Sequence, residues 1–378
     1  MTQWSEQRPS TDPPEPPKLL TNRRAPRRAF LKWAGLAAVG AGATVIGARA
    51  IGNRLPSQAT NAARSRVVLP PAATAAPVPS SLPVANITPL ITPTEKFFRI
   101  DTASLTPQVD VDTWKLRIGG RVATPTEFSF AELLALPQVS LPITLACVSN
   151  PVGGDLIGTA VWQGIELKDI LANVGIEPGA DQLVATSVDG FTAGFPTSAV
   201  FDGRKALLAI GMNGEPLPVA NGFPARLIVE GLFGYVSATK WLSSLDLRTW
   251  DEFNAYWIKL GWSKEGPVLP SARIDVPKVG EKPASGPVTV AGVAWAPRSG
   301  VSAVELQIDE GEWQRCELGP AVTGSTWRQW TFAWNPQPGN YRLRARCVNG
   351  DGEVQTGQPT VNPDAGNTGW HTRKITIS

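Results

Sequence analysis

Histidine is almost absent from this chain of 378 residues: there is only His371, close to the C-terminus. A Ser-His-Asp or Cys-His device would have to fold that one imidazole back into a distant site. Cysteine is scarce too. Cys147, Cys316 and Cys347 include no CxxC pair, so a zinc site of clustered Cys and His lacks ligands. The chain has no CxxCH haem attachment, no G-x-x-x-x-G-K-[ST] loop and no G-x-G-x-x-G after a strand. An enzyme made from these residues must take its hard chemistry from a cofactor. Neither sign of charge dominates, with 35 Lys and Arg against 32 Asp and Glu. The excess sits at one end: residues 1–50 hold eight basic and three acidic residues. The remainder is slightly acidic, so the basic balance comes from this end and does not argue for nucleic-acid binding.

Residues 1–50 read as a targeting segment. A polar, Pro-rich stretch leads into Arg27-Arg28-Ala29-Phe30-Leu31-Lys32. A mildly apolar run from Trp33 to Ala48 follows, and small residues end it at Ala48-Arg49-Ala50. A basic region, a moderate apolar region and a small-residue end describe an export signal, and the paired arginines resemble a twin-arginine signal. An uncleaved anchor through residues 29–48 is the alternative, near the lower length limit for crossing a bilayer. Residues 51–92, rich in Pro, Ala and Ser, read as a linker.

Two folded parts are expected beyond it. Residues 93–276 mix strand-like stretches with short helices and predict an irregular α+β domain. Ser129 to Leu134 carries a capping pattern, with Glu132 three residues after Ser129, and Leu167 to Leu171 predicts a second helix. Residues 277–378 alternate apolar and polar positions in short runs, as in Ala303 to Ile308 and Tyr341 to Cys347. Turn signals such as Pro338-Gly339-Asn340 separate the runs, which predicts an antiparallel β-sandwich. Cys316 and Cys347 fall on two of its strands, either as a disulfide or as separate buried thiols.

Four stretches concentrate the remaining chemistry. Thr144-Leu145-Ala146-Cys147-Val148-Ser149-Asn150 places a lone thiol at the end of an apolar run, just before Gly153-Gly154. By itself such a cysteine is most simply a small core residue. Upstream lies Phe97-Phe98-Arg99-Ile100-Asp101. Downstream lie Asn221-Gly222-Phe223-Pro224-Ala225-Arg226 and Gly234-Tyr235-Val236-Ser237-Ala238-Thr239-Lys240-Trp241. In this order the stretches resemble the molybdopterin oxidoreductases of the sulfite oxidase family.

The resemblance implies Mo-molybdopterin as cofactor and Cys147 as the protein's ligand to molybdenum, a soft anionic sulfur suited to the metal. It places Arg99 and Tyr256 beside the substrate. It places Phe98, Asn221, Arg226, Gly234, Ser237, Ala238 and Lys240, with Arg99 and Cys147, around the cofactor. It further implies an immunoglobulin-like C-terminal dimerisation domain, hence a homodimer. The activity implied is oxygen-atom transfer to or from a small substrate, with electrons passing to a separate carrier such as a cytochrome.

Three departures stand out. Asn221 replaces a histidine common before Gly-Phe-Pro, Glu230 replaces a common proline, and Ile100-Asp101 stands in place of the family's more polar Asn-His continuation after Arg99. A fourth bears on substrate: Asn150 is followed by Pro151-Val152-Gly153 rather than by paired arginines. A buried dianion needs several cationic partners, so the expectation is a molybdopterin oxidoreductase that is not a strict sulfite oxidase. The reading from a different class is a non-catalytic exported binding protein with a degenerate cofactor domain.

Overall fold

The computed structural model describes residues 57–74, 77–103, 105–361 and 366–378. The expected targeting segment lies outside them. Among the described residues no helix is long and apolar enough to cross a membrane.

Sheets dominate the first part. The strand Ala206–Met212 is buried at every position, as its unbroken apolar run requires for a strand covered on both faces. It pairs antiparallel with Ile157–Glu166 on one side and with Arg226–Val229 on the other. Ile157–Glu166 then pairs with Gln138–Ala146, the strand that leads into the cysteine. A second sheet runs in the order Thr126–Ser129, Lys115–Gly120, Leu242–Arg248, Gln182–Ser187 and Thr192–Pro196. Leu116, Ile118, Leu245 and Leu247 are fully enclosed on its inner face.

The helices are short, which corrects the expected α+β balance toward a mostly β fold. Phe130–Ala135 closes the anticipated capping box: Ser129 Oγ accepts the Glu132 N–H, and Glu132 accepts the Ser129 N–H at 2.7 Å. It buries Phe130 and Leu133, and Leu167–Leu171 forms as expected.

Residues 57–92 are not a free linker, which is a second correction. Gln58–Arg66 forms a helix, and Ala72–Thr74 pairs in parallel with Gln138 to Ser140 at the sheet edge. Arg64 donates to the carbonyls of Pro216 and Leu217, and Leu90 is 2% exposed. A Pro- and Ala-rich composition reads as linker because it lacks periodicity. These contacts come instead from partners 66 or more residues away.

The C-terminal part is a two-sheet β structure. Ser271–Val276, Val288–Trp295, Arg328–Trp334 and Glu317–Leu318 form one sheet. Gln314–Arg315, Val301–Ile308, Gly339–Asn349 and His371–Ile377 form the other. On Gly339–Asn349 the buried Leu343, Ala345 and Cys347 alternate with Arg342, Arg344 and Arg346, the period-two signature. All three cysteines are free. The Cys316 N–H donates to Val304 O, while Val304 sits opposite Cys347 on the other side. Two strand spacings, about 9–10 Å, therefore separate the cysteines, beyond the roughly 7 Å that a disulfide spans.

The two parts share a tight boundary. The Thr144 N–H donates to Ser325 O at 2.9 Å, and the Trp327 N–H donates to Thr144 Oγ1 at 2.8 Å. Trp327, 2% exposed, packs into the first core and donates its indole N–H to Leu90 O at 2.8 Å.

Candidate active site

Cys147 follows directly on the strand Gln138–Ala146, and the loop after it is held from both sides. The Cys147 N–H donates to Leu156 O at 2.9 Å, and its carbonyl accepts the Asn150 N–H at 3.0 Å. Asn150 Oδ1 accepts the Leu156 N–H at 2.9 Å, closing the loop on itself. The C-terminal part supplies the outer clamp. Asn367 Nδ2 donates to Asn150 O at 2.9 Å, and Arg273 Nη1 donates to Gly154 O at 2.8 Å. Gly153 has φ +78°, and a Cβ there would lie 2.3 Å from the His371 ring. Only glycine combines that left-handed backbone with so close an approach.

His371 is therefore a packing and hydrogen-bonding residue. Its Nδ1 accepts the Ile274 N–H at 2.9 Å. Burial, then the charges of Arg373 and Arg273, push the imidazole down to about 4.

Cys147 is partly exposed, whereas Cys316 and Cys347 are buried. Burial raises the Cys147 thiol, against the opposing pull of the Ser149 N–H and hydroxyl. Without a metal the sulfur holds its proton at neutral pH; a bound cation strips it off and makes the thiolate ligand. Among the described residues no group of three His, Cys, Asp or Glu could hold a metal ion. The protein offers one sulfur, and a metal here needs most of its donors from a cofactor. Cys147 lines a cleft of about 300 Å³ at the boundary between the two parts.

The expected cofactor residues gather around the short helix Gly234–Ser237. A Cβ on Gly234 would lie 3.9 Å from Ala146 O, so this helix starts beside the cysteine strand. Ser237 Oγ donates back to Phe233 O at 3.1 Å. At the far end, Ala238 O accepts from Arg226 Nη2 at 3.3 Å, and Arg226 Nη1 donates to Asn221 O at 3.0 Å. Gly222, at φ +112°, lies against both cations: its Cβ would sit 3.0 Å from carbons of Arg226 and Lys240.

Arg226 is 6% exposed, and its guanidinium sits 5.1 Å over the Trp162 ring. None of the ion pairs among the described residues includes it. Burial pushes it down to about 9. A buried cation satisfied only by carbonyls and a ring face is costly until an anion joins it.

Arg99 and Lys240 form the second charged group. Asp101, with its side chain 5% exposed, lies between them: Arg99 Nε is 2.5 Å from its Oδ2, and Lys240 Nζ is paired with its Oδ1. Arg99 also donates to Thr106 Oγ1 at 2.7 Å, and Lys240 to Ile100 O at 3.1 Å. Burial, then the Arg99 charge, pushes the Lys240 ammonium down. The departure at Asp101 thus acts as an internal counter-ion.

Phe98 stacks on Phe97 at 5.1 Å, and Phe97 meets Trp162 edge-on at 5.5 Å, which joins Phe98 to the Arg226 group. Tyr256 lies apart from the cleft lining. It is 47% exposed and packs against Phe191 at 5.8 Å and Trp257 at 5.1 Å. The structure thus brings together Cys147, Gly234, Ala238, Arg226 and Asn221, with Arg99 and Lys240 bound through Asp101.

These residues fit an anionic, ring-bearing cofactor. Arg226 is a buried cation lacking an anion, and the Thr239 hydroxyl, 1% exposed, has no partner inside the same loop. The Asp101 carboxylate shows that Arg99 and Lys240 already form an anion cradle. Sequence reasoning missed Trp162 beneath Arg226 and the cleft wall from the C-terminal part, Glu353, Gln355 and Thr356. Trp162 sits mid-strand and reads as core.

Residues 103–257 match the family model of the oxidoreductase molybdopterin binding domain. Human mitochondrial sulfite oxidase is 27% identical over 72% of this chain, which spans 58% of that relative's length. The NAD(P)H nitrate reductase of Hordeum vulgare is 30% identical over 37% of this chain and 18% of its own length. The crystal structure of the sulfane dehydrogenase SoxCD from Paracoccus pantotrophus shares the fold, with a TM-score of 0.66 at 22% identity. That likeness covers 76% of this chain and 81% of that one. On this fold and with these relatives, residues 103–257 form an oxidoreductase molybdopterin binding domain, and the chain around them is similar to the sulfite oxidase family.

Proposed function

We propose that this protein transfers an oxygen atom to or from a small substrate at Mo-molybdopterin and is not a strict sulfite oxidase. One observation carries the reading: the partly exposed thiol of Cys147 opens on a cleft, while the unpaired Arg226 lies at the far end of the helix that starts beside it. The bound cofactor supplies two-electron chemistry that moves an oxygen atom between water and a substrate lone pair. Cys147 provides the ligand sulfur. Arg226 and the Lys240–Arg99 pair neutralise the cofactor's anionic groups. Gly222 and Gly234 let backbone approach closely, and the clamped loop from Cys147 to Leu156 keeps the sulfur in place.

The electrons leave singly to a separate carrier, for which a cytochrome is the fitting class because this chain carries no haem motif. The twin-arginine-like leader supports export with the cofactor already folded in, or tethering through residues 29–48. The two-sheet C-terminal part supports an immunoglobulin-like dimerisation role.

The test is Cys147→Ser in a host that makes the cofactor, with molybdenum and extracted pterin measured on purified protein. The wild type should carry both stoichiometrically. The variant should stay folded, lose most of its molybdenum and turn over no substrate. A variant that retains molybdenum and full activity would refute Cys147 as the ligand.

A further inference from the structure

Residues 81–92 lie outside the matched domain of residues 103–257, yet Thr88 within them reaches the support of the cysteine loop. The meeting point is Arg273, 8% exposed, whose three guanidinium nitrogens are all engaged. Nε donates to Asp275 Oδ1 at 2.7 Å, Nη1 to Gly154 O at 2.8 Å and Nη2 to Thr88 Oγ1 at 2.6 Å. The Thr88 N–H donates to the other oxygen of the same acid, Asp275 Oδ2, at 3.0 Å. Gln329, fully buried, locks this stretch in place. Its Nε2 donates to Thr88 O at 2.7 Å, and its Oε1 accepts the Leu82 N–H at 2.8 Å.

A guanidinium is planar and rigid, so fixing two of its nitrogens aims the third. Asp275 on Nε and Thr88 on Nη2 are those two anchors, and together they direct Nη1 at Gly154 O. The loop needs this outside hold because Gly153-Gly154 bring no side chains of their own to pack at the turn. Resting on the oxygen-transfer reading, we infer that Thr88 is a positioning residue for the ligand loop. It acts through Arg273 and the Gly154 carbonyl, so the stretch that follows the leader completes the seat of the Cys147 sulfur.

Thr88→Val keeps the side-chain shape and the backbone bonds to Asp275 and Gln329, but it removes the acceptor for Nη2. Thr88→Ser restores that acceptor. A charged donor left unpartnered in a buried setting favours states in which it reaches water, so the loop should open about tenfold more often in Thr88→Val. Hydrogen exchange read by mass spectrometry on the full-length chain, purified without molybdenum, measures this directly. The amides of Cys147, Asn150 and Leu156, each bonded within the loop, should exchange about tenfold faster in Thr88→Val and near the wild-type rate in Thr88→Ser. The central strand Ala206–Met212 should keep its rate. Arg273→Lys can keep the Asp275 pair but cannot hold three partners in one plane, and it should give the same local acceleration.

In the molybdenum-loaded protein, Thr88→Val should lose the metal faster than wild type during dialysis, and Thr88→Ser should not. Unchanged loop exchange in Thr88→Val, or unchanged molybdenum retention, overturns the inference even if the loaded enzyme is active. An equal acceleration across Ala206–Met212 also overturns it, because Thr88 would then act on global stability alone. Acceleration confined to the loop in a chain that takes up no molybdenum upholds the positioning and counts against the oxygen-transfer reading alone.

Discussion

Asp101→Asn tests the anion cradle most directly. The carboxylate, 5% exposed, touches Arg99 at 2.5 Å and pairs with Lys240. Neutralising it leaves two buried or half-buried cations facing each other. Breaking a buried pair costs about 3–5 kcal/mol. Arg99 is 26% exposed and keeps its bond to Thr106, so the loss falls at the lower end, about 3 kcal/mol. At roughly 2 °C per kcal/mol for a chain of this size, the melting temperature of cofactor-free protein should fall by about 6 °C. The assay is thermal circular dichroism at one scan rate, in chloride and in phosphate at matched ionic strength. A bound external anion at a hundred times its Kd returns about 2.7 kcal/mol, so phosphate should rescue the variant more than it stabilises the wild type. A variant that melts within about 1 °C of wild type in chloride would show that Asp101 does not hold the two cations.

Two further outcomes follow from the loop clamp. In the folded state the His371 imidazole titrates at about 4, against about 6.5 when free. The unfolded chain therefore binds the extra proton first. The stabilisation is complete above pH ~6.5 and fades as the pH falls toward 4, by up to about 3 kcal/mol. His371→Asn should flatten that slope in urea midpoints taken across the window, and an unchanged slope would count against it. Gly153→Ala puts a Cβ 2.3 Å from the same ring at φ +78°. It should cost about 2 kcal/mol or more and lower molybdenum retention, whereas a neutral result in thermal melts would show that the loop yields.

Local chemistry was legible in the sequence. The Ser129–Glu132 cap, the short helix at Leu167, the period-two strands of the C-terminal part and the lone thiol after an apolar run depend on neighbours a few residues apart. The resemblance of four separated stretches supplied the cofactor. Other features needed the folded chain. Residues 57–92 look like linker, yet they pack because partners such as Pro216 and Trp327 arrive from far along the sequence. Asp101 reads as an unexplained substitution until folding sets it between Arg99 and Lys240. Cys316 and Cys347 could have paired, and the intervening strand keeps them apart. Sequence determined which groups the protein owns, because composition and short-range pattern fix the residue types and local dihedrals. Tertiary structure decided which charges meet and which residues face the sulfur, because charge pairing and burial depend on distance through space.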